Sequence, residues 1–66
     1  GNLNCSFNQL TILPDNLIVN GNLFCPCNKL TSLPDNLIVN GDLDCSYNNL
    51  SKNIKKPKGV KGKMYL

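Results

Sequence analysis

Four cysteines and four aspartates are the side chains of this 66-residue chain that are best suited to bind a metal or react with a substrate. Cys5, Cys25 and Cys45 recur at intervals of twenty residues, and Cys27 follows Cys25 by two positions. A zinc site needs further ligands, yet the chain has no histidine and no Cys-x-x-Cys pair. The spacing therefore favours three buried, reduced thiols that pack as small apolar groups, with Cys27 outward and reactive, and no metal or cofactor.

The carboxylates do not form a catalytic set. Asp15 and Asp35 occupy the same position in two copies of one turn, where a short polar side chain favours the turn, although two stacked carboxylates could also suggest calcium or acid chemistry. The chain has no histidine or glutamate to act as a general acid or base, and no nucleophile lies beside a base. We therefore expect a protein that is not an enzyme.

The cysteine spacing reflects an internal repeat. Rows 1–20 and 21–40 agree at 15 of 20 positions, and row 41–61 follows with one extra residue. Residues 62–66 resemble the start of a fourth row and are read as a final strand. A fixed period of this length is typical of a solenoid, in which each repeat buries its apolar side chains against its neighbours. Neither end shows a polar cap, so we expect an uncapped unit or a fragment of a longer solenoid.

Each row begins with a short strand. Alternation over residues 22–25 turns Leu23 and Cys25 inward and Asn22 and Phe24 outward. The other rows repeat this strand at 2–5, 42–45 and 63–66. Stacked in order, these segments predict one parallel sheet of four short strands.

After the strand, the chain turns a corner and returns. Asn28 is expected to bury its amide against backbone groups that the corner leaves unpaired, as are Asn8 and Asn48 in their rows. Pro34 cannot continue a helix, and the chain lacks alanine, glutamate and arginine, which favour helices. The return path is predicted to be extended or polyproline-like, with little or no α-helix in the fold.

The residues just described carry a resemblance to a known family. Rows one and two share L-x-C-x-x-N-x-L followed by L-P-D-N-L. In this pattern the chain resembles the short LP-type leucine-rich repeats of bacterial effectors and of phage and large-virus proteins. The resemblance is strong over residues 1–50 and weak over 51–66, and cysteine replaces the second strand leucine. It implies a curved solenoid whose sheet lines the concave face, and protein binding at that face.

The differences between rows one and two are concentrated on or just after the outward strand positions. The scaffold is copied, whereas positions 4/24, 6/26 and 7/27 differ. Variable positions with exposed aromatic side chains are typical of a contact surface, although exposed positions also drift without any use. The residues predicted to bind a protein partner on the concave face are Asn4, Phe7, Phe24, Cys27, Asp44, Tyr47 and Tyr65.

A structural role is the alternative hypothesis. Without caps, copies could stack head to tail through their open core layers and form filaments or arrays, because such contacts need not close. The chain would then bind other copies of itself. The residues predicted to form these stacking ends are Leu3, Cys5, Met64 and Leu66.

Charge is segregated along the chain, which has a net charge of +3. Six of the seven lysines lie within 52–63, and all four aspartates precede them. Nucleic acid is a disfavoured partner, because the chain has no arginine and its aromatic residues lie elsewhere. No apolar run is long enough to cross a bilayer, and we expect no membrane contact. Unpaired core cysteines without a signal peptide favour a reducing intracellular environment.

Overall fold

Short strands separated by turns account for all the regular structure of the chain. The computed structural model describes residues 1–66, and no segment of it is helical, as the composition predicted. Four strands form a parallel sheet in the order β1-β3-β5-β7, and three form a second parallel sheet in the order β2-β4-β6. The strands are β1 (Leu3–Asn4), β2 (Ile18–Val19), β3 (Leu23–Phe24), β4 (Ile38–Val39), β5 (Leu43–Asp44), β6 (Gly59–Val60) and β7 (Met64–Tyr65).

The four-stranded sheet has the register that the repeat predicts. Leu3 lies opposite Leu23, Leu23 opposite Leu43, and Leu43 opposite Met64. The last step is one residue longer because row three contains an extra residue, and the predicted fourth strand is confirmed. The regular strands are shorter than predicted, with two residues each. The backbone pairing nevertheless continues beyond them, since the amide of Cys5 donates to the carbonyl of Phe24 at 2.7 Å.

The return path is extended, as predicted, but it is also paired, which was not predicted. It contains the three-stranded sheet, in which Ile18 lies opposite Ile38 and Ile38 opposite Gly59. The amide of Ile38 donates to the carbonyl of Leu17 at 3.1 Å, and that of Asn40 donates to Val19 at 3.0 Å. The first two returns have identical sequence and length, which brings the same backbone groups to the same level, so they pair as a sheet instead of remaining polyproline-like. The third return pairs with them in spite of its different sequence and extra residue.

The two sheets bury one core between them. Leu23 and Leu43 of the first sheet and Val39 of the second are fully buried. Fully burying such a side chain stabilises the fold by about 1.5–3 kcal/mol relative to leaving it in water. Ile18 and Ile38 point outward and are 59% and 37% exposed. The other core residues are Leu13, Val19, Cys25, Leu30, Leu37, Cys45 and Val60.

Of the three corner asparagines predicted to be buried, Asn28 is buried, Asn48 is half-buried and Asn8 is exposed, because no repeat precedes Asn8 in the structure. Asn28 and Asn48 tie consecutive repeats together. The side-chain amide of Asn28 donates to the carbonyls of Cys5 at 3.0 Å and Cys25 at 3.1 Å, and its oxygen accepts from the amide of Leu10 at 3.1 Å. Asn48 makes the equivalent bonds one repeat later. Each asparagine thus closes its own corner and pairs the corner of the preceding repeat.

A second ladder joins the strand entrances. The oxygen of Asn2 accepts from the amide of Asn22 at 2.8 Å, and that of Asn22 accepts from Asp42 at 2.7 Å. A Cβ atom at Gly41 would overlap Asn22 Oδ1 and lie 3.0 Å from the carbonyl oxygen of Gly21. The glycines at the strand entrances therefore allow the backbones of neighbouring repeats to approach closely. None of them has a positive φ.

Replacing Asn28 with Asp tests the corner ladder. The carboxylate retains an acceptor but cannot donate to Cys5 and Cys25, so buried carbonyl groups lose their partners. We expect the free energy of unfolding, measured by urea denaturation and circular dichroism, to fall by about 3 kcal/mol. The matched control is Asn8→Asp, because Asn8 is exposed and donates only to carbonyls of its own corner. Equal losses in the two variants would contradict the linking role of Asn28.

Candidate functional site

Four of the residues predicted to bind a partner lie side by side on the four-stranded sheet. Asn4 is opposite Phe24, Phe24 is opposite Asp44, and Asp44 is opposite Tyr65. Asn4 and Tyr65 are exposed, whereas Phe24 and Asp44 are half-buried. We call these four residues the strand column. The predicted outward row is therefore present on one face of the sheet.

The other three predicted residues, Phe7, Cys27 and Tyr47, form a second row, which we call the corner column. The amide of Phe7 donates to the carbonyl of Pro26 at 3.1 Å, and that of Cys27 donates to Ser46 at 3.0 Å, so the row is held by backbone bonds. Phe7 is 80% exposed and Tyr47 is 82% exposed. Cys27 is half-buried, and so it is less accessible than the predicted outward thiol.

The backbone of the corner column is left-handed. The φ angles of Phe7, Cys27 and Tyr47 are 58°, 59° and 55°. This conformation costs a residue with a Cβ atom roughly 1–2 kcal/mol, and glycine avoids that cost. Only Asn16, a residue type that tolerates the conformation, shares it. This strain could not be predicted from residue types, because phenylalanine, cysteine and tyrosine do not mark left-handed positions.

Two members of the strand column are engaged in local turns. The side-chain oxygen of Asn4 accepts from the amide of Ser6 at 3.0 Å, and that of Asp44 accepts from the amide of Ser46 at 3.1 Å. The serine hydroxyls donate to the same oxygens. These bonds stabilise the start of the corner, so Asn4 and Asp44 have a structural task besides any contact with a partner.

Two of the three strand cysteines predicted to be buried are confirmed as buried, and the third, Cys5, is more open than predicted. Cys25 and Cys45 are buried, Cys5 is half-buried, and all four cysteines are unpaired. Burial, with smaller contributions from the neighbouring Cys5, Cys45 and Asp44, raises the pKa of Cys25 to about 12. Burial and then Asp44 raise the pKa of Cys45 to about 11. Both thiols stay protonated at neutral pH, which makes them poor nucleophiles and poor metal ligands.

The residues predicted as stacking ends are more open than their equivalents inside the stack. Leu3 is 40% exposed, whereas Leu23 and Leu43 in the same row of the sheet are fully buried. Leu66 is 46% exposed, and it lines an open cavity of about 610 Å³ together with Tyr47 and other residues of the third corner. Cys5 and Met64 are half-buried. The apolar core therefore reaches the surface at both ends.

Comparisons with models of protein families, with curated proteins and with solved structures found no match. The resemblance to leucine-rich repeats therefore stays a prediction. No group of three or more cysteine or aspartate side chains lies close enough together to hold a metal ion. The structure contains no helix of the length and apolarity needed to span a bilayer. The strand column and the corner column are therefore the surface features from which a function can be argued.

The buried thiols predict a loss of stability at alkaline pH. Folded Cys25 keeps its proton up to a pKa of about 12, whereas an unfolded chain releases it near 9.0. The unfolded state therefore binds fewer protons above about pH 9, and the free energy of unfolding falls as the pH rises toward 12. Below about pH 9 the contribution is fully present.

Comparison of urea denaturation at mildly and strongly alkaline pH checks this expectation. Cys25→Val removes the titrating thiol and keeps an apolar side chain, so this variant should lose less stability across the interval. Any effect of alkaline pH that does not involve Cys25 is the same in both proteins. The same loss in both would show that Cys25 does not contribute.

Proposed function

We propose that this chain is a non-catalytic module of the leucine-rich-repeat type that binds a protein partner through the outer face of its four-stranded sheet. The site comprises the strand column and the corner column. The observation that carries the proposal is the corner column, where three successive repeats hold a residue other than glycine or asparagine in the left-handed conformation, and two of the three are aromatic. A fold selected only for stability would favour glycine or asparagine there.

The exposed aromatic side chains support a partner-binding role. Phe7 and Tyr47 each expose four-fifths or more of their surface, at 80% and 82%. Aromatic residues dominate binding energy in protein interfaces, because they bury a large area at a small cost in side-chain entropy. Burying these two rings against a partner would recover more free energy than the backbone strain removes.

The scaffold behind the columns is suited to presenting them rigidly. The amide of Phe7 is bonded to Pro26, and the next corner residue, Asn8, is bonded through its side chain to the carbonyls of Cys5 and Ser6. A surface whose backbone is already fixed spends little further conformational entropy on binding. The columns therefore offer a preformed row of contacts in place of a flexible loop.

A double variant, Phe7→Gly with Tyr47→Gly, separates binding from folding. Its free energy of unfolding should stay within about 1 kcal/mol of the parent or rise, because relief of left-handed strain offsets the added flexibility of glycine. Its affinity for a partner selected from a displayed polypeptide library should fall at least tenfold. Surface plasmon resonance and urea denaturation measure the two quantities.

The matched control is Ile18→Gly, which removes an apolar side chain 59% exposed on the opposite sheet. This control should bind the partner as well as the parent does, even if it is less stable. Undiminished binding by the double variant would overturn the proposal. A partner whose affinity responds to Ile18 instead would place the site on the other sheet.

End-to-end stacking is the second candidate, and the exposure of Leu3 favours it. Stacked copies would cover Leu3 and Leu66. The row of hydrogen bonds that joins one strand entrance to the next would, however, end at Lys63. Its amide donates to Asp42 at 2.9 Å, while its side chain has no acceptor for a further repeat.

Light scattering across a range of concentrations tests the stacking candidate. If copies stack, the mass should rise with concentration for the parent chain and stay monomeric for Leu3→Asp, because a buried carboxylate would oppose the contact. A constant monomer mass for the parent would remove this candidate.

A further inference from the structure

The third repeat departs from the other two along its return path. Rows one and two have the same segment at 13–19 and 33–39, whereas the third row has a lysine-rich segment with one extra residue. In row two the turn closes when the amide of Leu37 donates to the carbonyl of Pro34, and strand β4 follows. In row three the equivalent bond runs from the amide of Val60 to the carbonyl of Pro57. This turn therefore includes strand β6, whereas the turn of row two ends before strand β4 begins.

This shift leaves the third return without an inward leucine. Gly59 lies opposite Ile38, so the residue level with the buried Leu37 is Lys58, which is exposed. A Cβ atom at Gly59 would overlap the carbonyl oxygen of Leu37. The backbone of the third repeat therefore lies directly against the carbonyl of Leu37 at Gly59, and no leucine side chain of the third return occupies the level of Leu37.

A cavity of about 560 Å³ lies where the two return paths separate. Its apolar part is formed by Leu33, Ile54 and Pro57. Leu33 is only half-buried although it belongs to a middle repeat, whereas Leu13 in the outer repeat is 3% exposed. The cavity thus leaves a core leucine open to solvent at a place where neighbouring repeats normally cover it.

The rim of this cavity is cationic. Lys55, Lys56 and Lys58 line it, and Asp35 is its one carboxylate. The three lysines are exposed, and Lys56 also donates to the carbonyl of Gly62 at 2.8 Å. The segment 52–63 contains six lysines and no acidic residue. An apolar floor below such a rim favours a ligand that is itself apolar at its centre and acidic on both sides.

We propose that this cavity binds an acidic segment of a partner protein in which one leucine-like side chain is flanked by carboxylates. The aliphatic side chain packs against Leu33 and Ile54, and the carboxylates face Lys55 and Lys58. Nucleic acid fits less well, because the floor is aliphatic and offers no aromatic ring or arginine on which a base could stack. The cavity lies on the return side of the repeats and does not include the strand or corner columns, so the inference is independent of the proposed function.

Fluorescence anisotropy with two labelled synthetic peptides tests the site. One peptide is Glu-Asp-Leu-Asp-Glu, and the other has serine in place of leucine. We expect the leucine peptide to bind at least tenfold more tightly, because burying one aliphatic side chain contributes about 1.5–3 kcal/mol. Raising the salt concentration should weaken both peptides, since the rim contacts are exposed charges.

Charge variants locate the binding. Lys55→Gln with Lys58→Gln should weaken the leucine peptide by roughly three- to tenfold, from the loss of two exposed charge contacts. The control is Lys29→Gln with Lys52→Gln, which gives the same net charge through two exposed lysines outside this cavity. This control should bind almost as the parent does. Circular dichroism verifies that all of these proteins are folded.

Several outcomes would overturn the inference. Equal affinity for the two peptides would show that the apolar floor is not used, and equal losses in the two double variants would show that only net charge matters. A single-stranded oligonucleotide that binds more tightly and displaces the peptide would identify a general polyanion surface. Absence of peptide binding at low salt would remove the site altogether.

Discussion

The first two corners of this fold each depend on an asparagine from the next repeat. Asn28 and Asn48 accept from the amides of Leu10 and Leu30. Each also donates to the carbonyl at the end of its own strand and to the equivalent carbonyl of the preceding repeat. A corner cannot pair its own backbone, because the chain there is neither helix nor sheet, and an unpaired buried polar group costs free energy. The repeats therefore have to stack in register, and the register brings equivalent backbone groups together elsewhere in the chain.

The left-handed conformation recurs at all three corners. In the first two repeats the residue before the corner asparagine donates its amide to the next repeat, as Phe7 does to Pro26, and in all three repeats the asparagine side chain reaches back to the end of its own strand. Tyr47 has the same positive φ without this amide bond, so the asparagine bond is the contact that all three left-handed corners share. The scaffold thus imposes strain on every repeat, and the residue type at that position decides only what the side chain offers outside.

Much of the fold could be predicted from period and alternation. The inward positions of Leu23 and Cys25, the corner asparagines and the fourth strand all follow from one pattern repeated in register. The second sheet was missed because alternation over 37–39 describes an extended chain and does not show whether that chain is paired. The cavity beside Leu33 was missed because the extra residue in row three shifts a turn toward its strand, and lysine-rich sequence alone does not reveal that shift. The left-handed corners were missed because their residue types do not signal them.

The hydrogen bond at the start of each corner decides in which column the aromatic residue of that repeat lies. In rows one and three, Asn4 and Asp44 accept from the serine amides two residues later, so the strand position is needed for the turn. In row two that later residue is Pro26, which has no amide hydrogen, and the strand position is free to hold Phe24. The aromatic side chain therefore lies in the corner column in rows one and three and in the strand column in row two. Successive repeats present one ring each in alternating columns, which spreads apolar contacts across the face, and the proline that removes one hydrogen-bond donor is what permits the change of column.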